Sequence, residues 1–423
     1  AERARLQASA VEPLAAPSEW FSEFRDWDAI EARMDELAAQ QPDLVTVEPV
    51  GPSIEGREIR ALRLLSPATT DKAAMLVSGT QHAREWLSPM SVMCVAEAMV
   101  EGYGTDPATT ALLDAVELLL VPVVNPDGYV YSWQAERYWR KNRRGDYGVD
   151  LNRNWSHAWG GEGASNYPYD ENFRGDGPLS EPETSALAEL VEAQPHLVAH
   201  VDVHAFGELV LHPWGHQYGP APDEAMLSAL AGQMAGAIEA THGHAYLPIQ
   251  GSDLYVASGV LDDWSYGQRG MMAFTIELRG NDFVVPPAEI VPACEETLAA
   301  VWVLAQWASE QSEPLPVPGD DTTGGGSSSD GTSGEGPLPG DTSPPGEGST
   351  TGVPDGTTGG PGDASSGSPP GGADPEPASG CGCGQRAPAG GGAWLLALLG
   401  LGLRLRRRRL ERERVRERVR GDQ

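Results

Sequence analysis

His82 and Glu85 stand three residues apart in the string His82-Ala83-Arg84-Glu85, and His204 follows far downstream. Two imidazoles and a carboxylate are a ligand set for catalytic zinc, which takes three protein donors and keeps one position for water. The short spacing lets His82 and Glu85 reach one ion from a tight turn. A four-residue box of this kind also arises by coincidence, as a surface histidine beside an unrelated glutamate. Its surroundings must decide.

Those residues need a frame. Ile30, Met34 and Leu37 recur at helical spacing within a predicted helix Asp28–Gln40, which Pro42 stops. Strand-like runs cover Leu44–Val50, Glu58–Leu65 and Lys72–Ser78, and the last feeds the His82 turn. A helix is predicted over Pro89–Val100 and a buried strand over Val116–Val124, ending at a turn Asn125–Gly128. Further strands are predicted at Leu197–Val203, Glu208–His212 and Met271–Leu278, with helices at Glu181–Glu192, Asp223–Thr241 and Pro292–Ala308. Alternating strands and helices, several strands being apolar throughout, point to an α/β domain. Its central sheet is expected to be mixed, mostly parallel and covered by helices on both faces. His204 and Glu277 fall at or just past strand ends, where open α/β sheets gather their ligands.

Composition divides the 423 residues. Residues 313–380 are almost wholly Pro, Gly, Ser, Thr and Asp with no Lys, Arg or aromatic residue. Such a stretch cannot bury enough apolar surface to offset its ordering entropy, and reads as a disordered linker. One folded domain is therefore expected over 17–312, after a short extension 1–16. The body 1–312 carries 18 Lys and Arg against 46 Asp and Glu. Phosphates would be repelled, which argues against a nucleic-acid partner, whereas cationic peptides would be attracted. Cys94 and Cys294 read as small core hydrophobes in preference to a disulfide, and neither they nor the pair Cys381 and Cys383 have zinc-finger spacing. The chain begins at Ala1 without Met, as it would after removal of an export signal.

The string Thr80-Gln81-His82-Ala83-Arg84-Glu85-Trp86 resembles the zinc turn of the A/B-type metallocarboxypeptidases. The likeness recurs in order at Asn125-Pro126-Asp127-Gly128-Tyr129, Tyr138-Trp139-Arg140-Lys141 and Gly148–Trp155. It continues at His204, Tyr255–Gly259, Asp263–Tyr266 and Thr275–Arg279, covering about 17–312. The resemblance implies a zinc exopeptidase with one Zn2+ held by His82, Glu85 and His204. It gives Glu277 as the general base toward the zinc's water, a task a carboxylate at that place can perform. Arg140 matches the arginine that stabilises the oxyanion. Asn152 and Arg153 match the pair that grips the substrate's terminal carboxylate, which a guanidinium fork fits bidentately. Tyr255 matches the mobile lid tyrosine, and Arg84 a secondary carboxylate-binding arginine. Asp150 falls where the family keeps a carboxylate behind a zinc histidine, so an Asp150–His82 hydrogen bond is expected. Non-proline cis bonds are implied at Ala205–Phe206, Pro213–Trp214 and Arg279–Gly280. His157, His196, His200, His212, His216, His242 and His244 match no functional position, and His200 and His212 are read as structural.

Asp262, two residues before Trp264, aligns with the base of the pocket for the C-terminal side chain. A buried carboxylate there discriminates for Lys or Arg. Val260 in place of a common glycine and Gln250 in place of a small or apolar residue leave apolar or dual specificity open. Ala205-Phe206 replaces a common Ser-Tyr, which removes a hydroxyl that would bind extended peptide. No long inhibitory pro-segment is expected ahead of the catalytic region within this chain. A cell-wall amide hydrolase of the same fold and a surface-displayed binding module without catalysis are the alternatives. The clamp Asn152/Arg153 speaks against the first, and the intact His82, Glu85, His204 and Glu277 against the second.

The end of the chain carries a different signal. Ala387–Leu403 is an uncharged run whose helix would span roughly 26 Å, marginal for a bilayer. Arg404 and Arg406–Arg409 follow, as a cytoplasmic flank would. With Gly380-Cys381-Gly382-Cys383-Gly384 before it, residues 381–423 resemble the sorting tails of myxobacterial surface proteins. That implies export and membrane or cell-surface attachment, with the catalytic domain outside the cell; the domain is expected to be monomeric and to act on peptides.

Overall fold

The computed structural model describes residues 17–69 and 72–318. The extension 1–16, nearly all of the expected linker and the tail 381–423 lie outside those residues.

The strands are β1 (Val45–Pro52), β2 (Glu58–Leu64), β3 (Ala74–Gly79), β4 (Glu117–Val121), β5 (Leu197–Ala205), β6 (Leu209–His212), β7 (Leu247–Gln250) and β8 (Met272–Leu278). They form one sheet in the order β1-β2-β4-β3-β5-β8-β6-β7. β3 pairs parallel with β4 and β5, β5 with β8, and β6 with β7. β2 runs antiparallel to both β1 and β4, as β6 does to β8. The chain winds from β3 to β4 on one side and later adds β5 on the other. That reversal opens a crevice at the carboxyl ends of β3 and β5.

The helices are α1 (Trp27–Gln40), α2 (Leu87–Gly102), α3 (Pro107–Ala115), α4 (Pro126–Gln134), α5 (Pro182–Glu192), α6 (Glu224–His242), the single turn α7 (Gly251–Leu254), α8 (Leu261–Arg269) and α9 (Ile290–Ser309). β3 and β5 are buried along their whole length, so both faces must be covered. Met75 and Val77 pack into a core with α1, α2, α6 and α9, while Ala74 and Leu76 pack on the other face with α5 and α8. The period-2 alternation of β3 thus feeds two separate cores. The mixed α/β architecture is the one expected.

Three expectations need correction. Asn125–Gly128 is the start of α4 rather than a turn: the Asn125 side chain accepts from the Gly128 N–H and Pro126 sits in the first turn, a legible start signal. Cys94 and Cys294 are joined by a disulfide with Cα atoms 5.7 Å apart. α2 and α9 pack side by side, which brings together two cysteines that each look like core residues in sequence. The cis bonds among the described residues are Ala205–Phe206 and Pro213–Trp214. Arg279–Gly280 is not one of them; the chain turns there through Gly280 at φ 129°, open to a residue without Cβ.

Candidate metal centre and substrate cleft

His82 follows β3, His204 lies at the end of β5, and Glu277 lies at the end of β8 directly opposite His204 in the parallel register. Glu85 is held at the entry to α2. Nδ1 of His82 and Nδ1 of His204 are 3.1 Å apart. Glu85 Oε1 is 2.8 Å from the first and Oε2 3.0 Å from the second. These three residues form a group able to hold a metal ion among the described residues.

The backs of both imidazoles face carboxylates. His82 Nε2 donates to Asp150 Oδ1 at 3.1 Å, and His204 Nε2 donates to Asp202 Oδ2 at 2.7 Å. With each ring hydrogen on Nε2, both Nδ1 lone pairs point at the Glu85 carboxylate. Three acceptors converging on one point need a cation between them. Burial lowers the pKa of His204, yet Asp202 and Glu85 overcome it and push the value well above the ordinary one. Burial likewise works against ionised Glu85, but His82 and His204 hold it below the usual carboxylate range. The pocket demands positive charge, and its nitrogen and oxygen donors fit zinc.

Arg140 is tied to the same carboxylate that backs His82. Its Nε and Nη2 donate to Asp150 Oδ2 at 3.2 and 2.8 Å, and its Nη1 is 3.3 Å from His82 Nδ1. Asp150 also accepts the Asn152 N–H at 3.0 Å. One buried carboxylate therefore orients a metal-site histidine, an arginine and the turn that carries Asn152 and Arg153. Arg153 donates through Nη1 to Asn152 O at 2.6 Å and through Nε to Gly163 O at 3.1 Å. Its guanidinium lies 5.9 Å from the Tyr255 ring. Asn152 Oδ1 accepts the Leu261 N–H at 2.9 Å, which joins the clamp to the start of α8. Gly259 makes that approach possible: at φ 72°, a Cβ there would lie 2.5 Å from Arg153 O.

Burial pushes Glu277 up to about 8, with Glu85 and Asp202 adding to the rise and His204 and Arg140 opposing it. A carboxyl in that range can both take and return a proton near neutrality. Arg84 lies against the Phe283 ring at 4.1 Å, and its Nη1 is 3.3 Å from Glu171 Oε2. The Arg84 Nε is buried with no hydrogen-bond partner among the described residues.

The adjacent carboxylates of α8 differ. Asp263 accepts from Gly215 N, His216 N and His216 Nδ1 at 2.8, 2.9 and 2.7 Å. Among the described residues Asp262 takes only the Asp263 N–H, at 2.9 Å, and is 6% exposed. Burial raises its pKa to about 7, with Asp263 and Asp202 contributing. The Gln250 Nε2 lies within hydrogen-bond reach of the carbonyls of Trp214, Gln217 and Gly219 and of Ser252 Oγ, so its two amide hydrogens clasp the 214–219 loop.

The zinc carboxypeptidase family profile matches residues 30–300. The chain belongs to the zinc carboxypeptidase family. It is similar to rat (Rattus norvegicus) carboxypeptidase A1, at 35% identity over 71% of this chain and 74% of the relative. It is also similar to bovine (Bos taurus) carboxypeptidase B, at 32% identity over 73% of this chain and 76% of the relative. In structure it resembles bovine thrombin-activatable fibrinolysis inhibitor, solved in complex with tick carboxypeptidase inhibitor. The TM-score is 0.64 at 31% identity, covering 68% of this chain and 98% of that one. The protein is thus a metallocarboxypeptidase, a hydrolase of a family that uses one zinc ion. Relatives of both the A and the B type match this carboxypeptidase.

Asp202 is the contact in the centre that the sequence reading missed. It lies two residues before His204, and strand alternation puts His200, Asp202 and His204 on one face of β5. That His-x-Asp-x-His file was the available signal.

Proposed function

We propose that this carboxypeptidase removes C-terminal Lys or Arg from extracellular peptides. The observation that carries the reading is Asp262, a buried carboxylate with no Lys or Arg paired to it among the described residues. Removing an ion from water is costly unless it finds a partner. A substrate ammonium or guanidinium would be that partner. Gln250 is compatible with this pocket because its amide is spent on the 214–219 loop.

The same geometry supports the remaining roles. His82, Glu85 and His204 would hold zinc, which when bound polarises the scissile carbonyl and acidifies water. Arg153 and Asn152 grip the terminal carboxylate and so restrict cleavage to the last peptide bond. Arg140, its aim fixed by Asp150, stabilises the oxyanion on the substrate. Glu277 takes the proton of the attacking water and passes it to the leaving amine. Tyr255 closes over the bound residue, and Arg84 serves as a secondary arginine for the substrate carboxylate.

An extracellular setting is supported by the Cys94–Cys294 disulfide, since such bonds persist in oxidising compartments. Residues 17–312 serve as the catalytic domain in this reading, with 1–16 as an extension and 313–380 as its tether. The cysteine motif, apolar run and arginine cluster of 381–423 support attachment to a cell surface. No helix among the described residues is long and apolar enough to cross a membrane.

Blocked dipeptides ending in Lys, Arg, Phe or Leu, assayed with and without a chelator, test the proposal. Chelator-sensitive release with Arg and Lys ahead of Phe and Leu is expected, and Asp262→Ala should erase that order. Phe preferred over Arg in both proteins would sink the pocket assignment.

A further inference from the structure

A buried polar chain runs from the metal centre to α8, and the direction of every hydrogen bond in it can be worked out. Asp202 Oδ1 accepts from Ser78 Oγ at 2.7 Å. Having spent its one hydrogen, Ser78 Oγ must accept from His200 Nε2 at 2.9 Å. His200 Nδ1, left bare, accepts from Ser265 Oγ at 3.0 Å. On its other oxygen Asp202 accepts from Gln81 Nε2 and from His204 Nε2, the latter at 2.7 Å. Gln81 is held in turn by the Trp155 indole, which donates to its Oε1 at 2.9 Å. Asp202, Ser78, His200, Gln81 and Ser265 are all fully buried.

From this chain we infer that Asp202 is a positioning residue of the metal centre, fixing the tautomer and orientation of His204 as Asp150 does for His82. The inference rests on reading His204 as a metal ligand. A carboxylate that accepts from Nε2 keeps the ring hydrogen there and directs the Nδ1 lone pair at the ion. Ser78 and Gln81 hold Asp202 in place, one donor on each of its oxygens. Ser265 lies one turn after Asp262 on α8, so the chain also links the helix of the specificity carboxylate to the ring of a metal-site histidine. Partners of this kind commonly contribute about 10–100-fold to metal affinity.

The test uses the full chain and Zn2+ itself, in competition with a chromogenic chelator. Asp202→Asn should bind zinc about 10–100-fold more weakly than the unaltered protein. Loaded with Co2+, the variant should show a shifted visible absorption band, which a merely structural role would not move. Zinc affinity within threefold of the unaltered protein with an unchanged cobalt band would overturn the inference. If Asp202→Asn does not fold, Asp202→Ser applies the same readouts, removing the carboxylate from His204 while leaving a hydroxyl for the buried donors. A threefold or greater loss with a shifted band supports the role, and an unchanged affinity and band refutes it. His204→Ala separates the two readings. Retention of stoichiometric zinc in that variant would refute the ligand assignment, whereas loss of zinc there beside an unaltered Asp202→Asn refutes only the role of Asp202.

Discussion

Glu277 faces His204 across the β5–β8 pairing, with its carboxyl pushed up to about 8 chiefly by burial. Glu277→Gln keeps the shape and removes the base, so kcat should fall about 10²–10⁴-fold while zinc content by atomic absorption stays at one per chain. Full activity in that variant would refute the assignment. Asp262 offers a second measurement, because its carboxyl sits at about 7, raised by burial and by Asp263. Below that value the pocket is neutral, and above it anionic, so the preference for Arg over Leu should grow with pH. Between pH 6 and 8 the ionised fraction rises about tenfold, and the ratio of kcat/KM values for the two substrates should follow it. In Asp262→Asn the ratio should stay flat. A slope that survives the substitution would mean another group sets the preference.

At the scale of elements, the start of α5 presses a buried carboxyl under the β1–β2 hairpin. Glu183 accepts from Ile54 N at 3.0 Å and Asn142 Nδ2 at 3.1 Å, and burial raises its pKa to about 7. The folded state therefore holds this proton more tightly than the unfolded chain, whose carboxyl titrates near 4.5. Its stabilising contribution is complete below that value and is lost as pH rises to about 7, a change on the order of 3 kcal/mol. Glu183→Gln should remove that slope, so urea unfolding of the two proteins should converge at pH 5 and diverge at pH 8 with the variant more stable. A constant difference across this range would show that Glu183 is not the group responsible. Most of the sheet was legible because apolar runs such as Leu197–Val203 announce buried strands, whereas the short β7 and the helix α3 were not expected. The candidate site was legible because His82, Glu85, Arg140, Asn152, Arg153 and Glu277 sit in ordered motifs. What escaped depends on packing. The disulfide needs α2 beside α9, and the free state of Asp262 beside the tied state of Asp263 needs the 213–216 loop. α8 itself escaped because its acidic first turn reads as loop until Leu261 and Trp264 are seen in the core. Asp202 was the avoidable omission, since alternation along β5 already aligned it with His204.

Across the whole molecule, the acidic excess of the body is a field rather than a contact. Residues 1–312 hold 46 acidic against 18 basic side chains, so basic peptides should be drawn in over a distance comparable with the Debye length. Raising salt from about 20 to about 500 mM should lower kcat/KM severalfold for peptides with several Lys or Arg. It should change it little for a blocked neutral dipeptide. Equal salt responses would rule out steering. The disulfide has a different consequence at this scale. Cys94 and Cys294 are 200 residues apart, and the loop bearing Tyr167 and Tyr169, 58% and 62% exposed, lies between them. A cut in that loop leaves both pieces covalently joined, each still holding part of the cleft: His82, Glu85, Asn152 and Arg153 on one, His204 and Glu277 on the other. Nicked protein should run as one band without reductant and as two with it. For an enzyme proposed to work outside the cell among other proteases, a severed loop is then not a severed molecule.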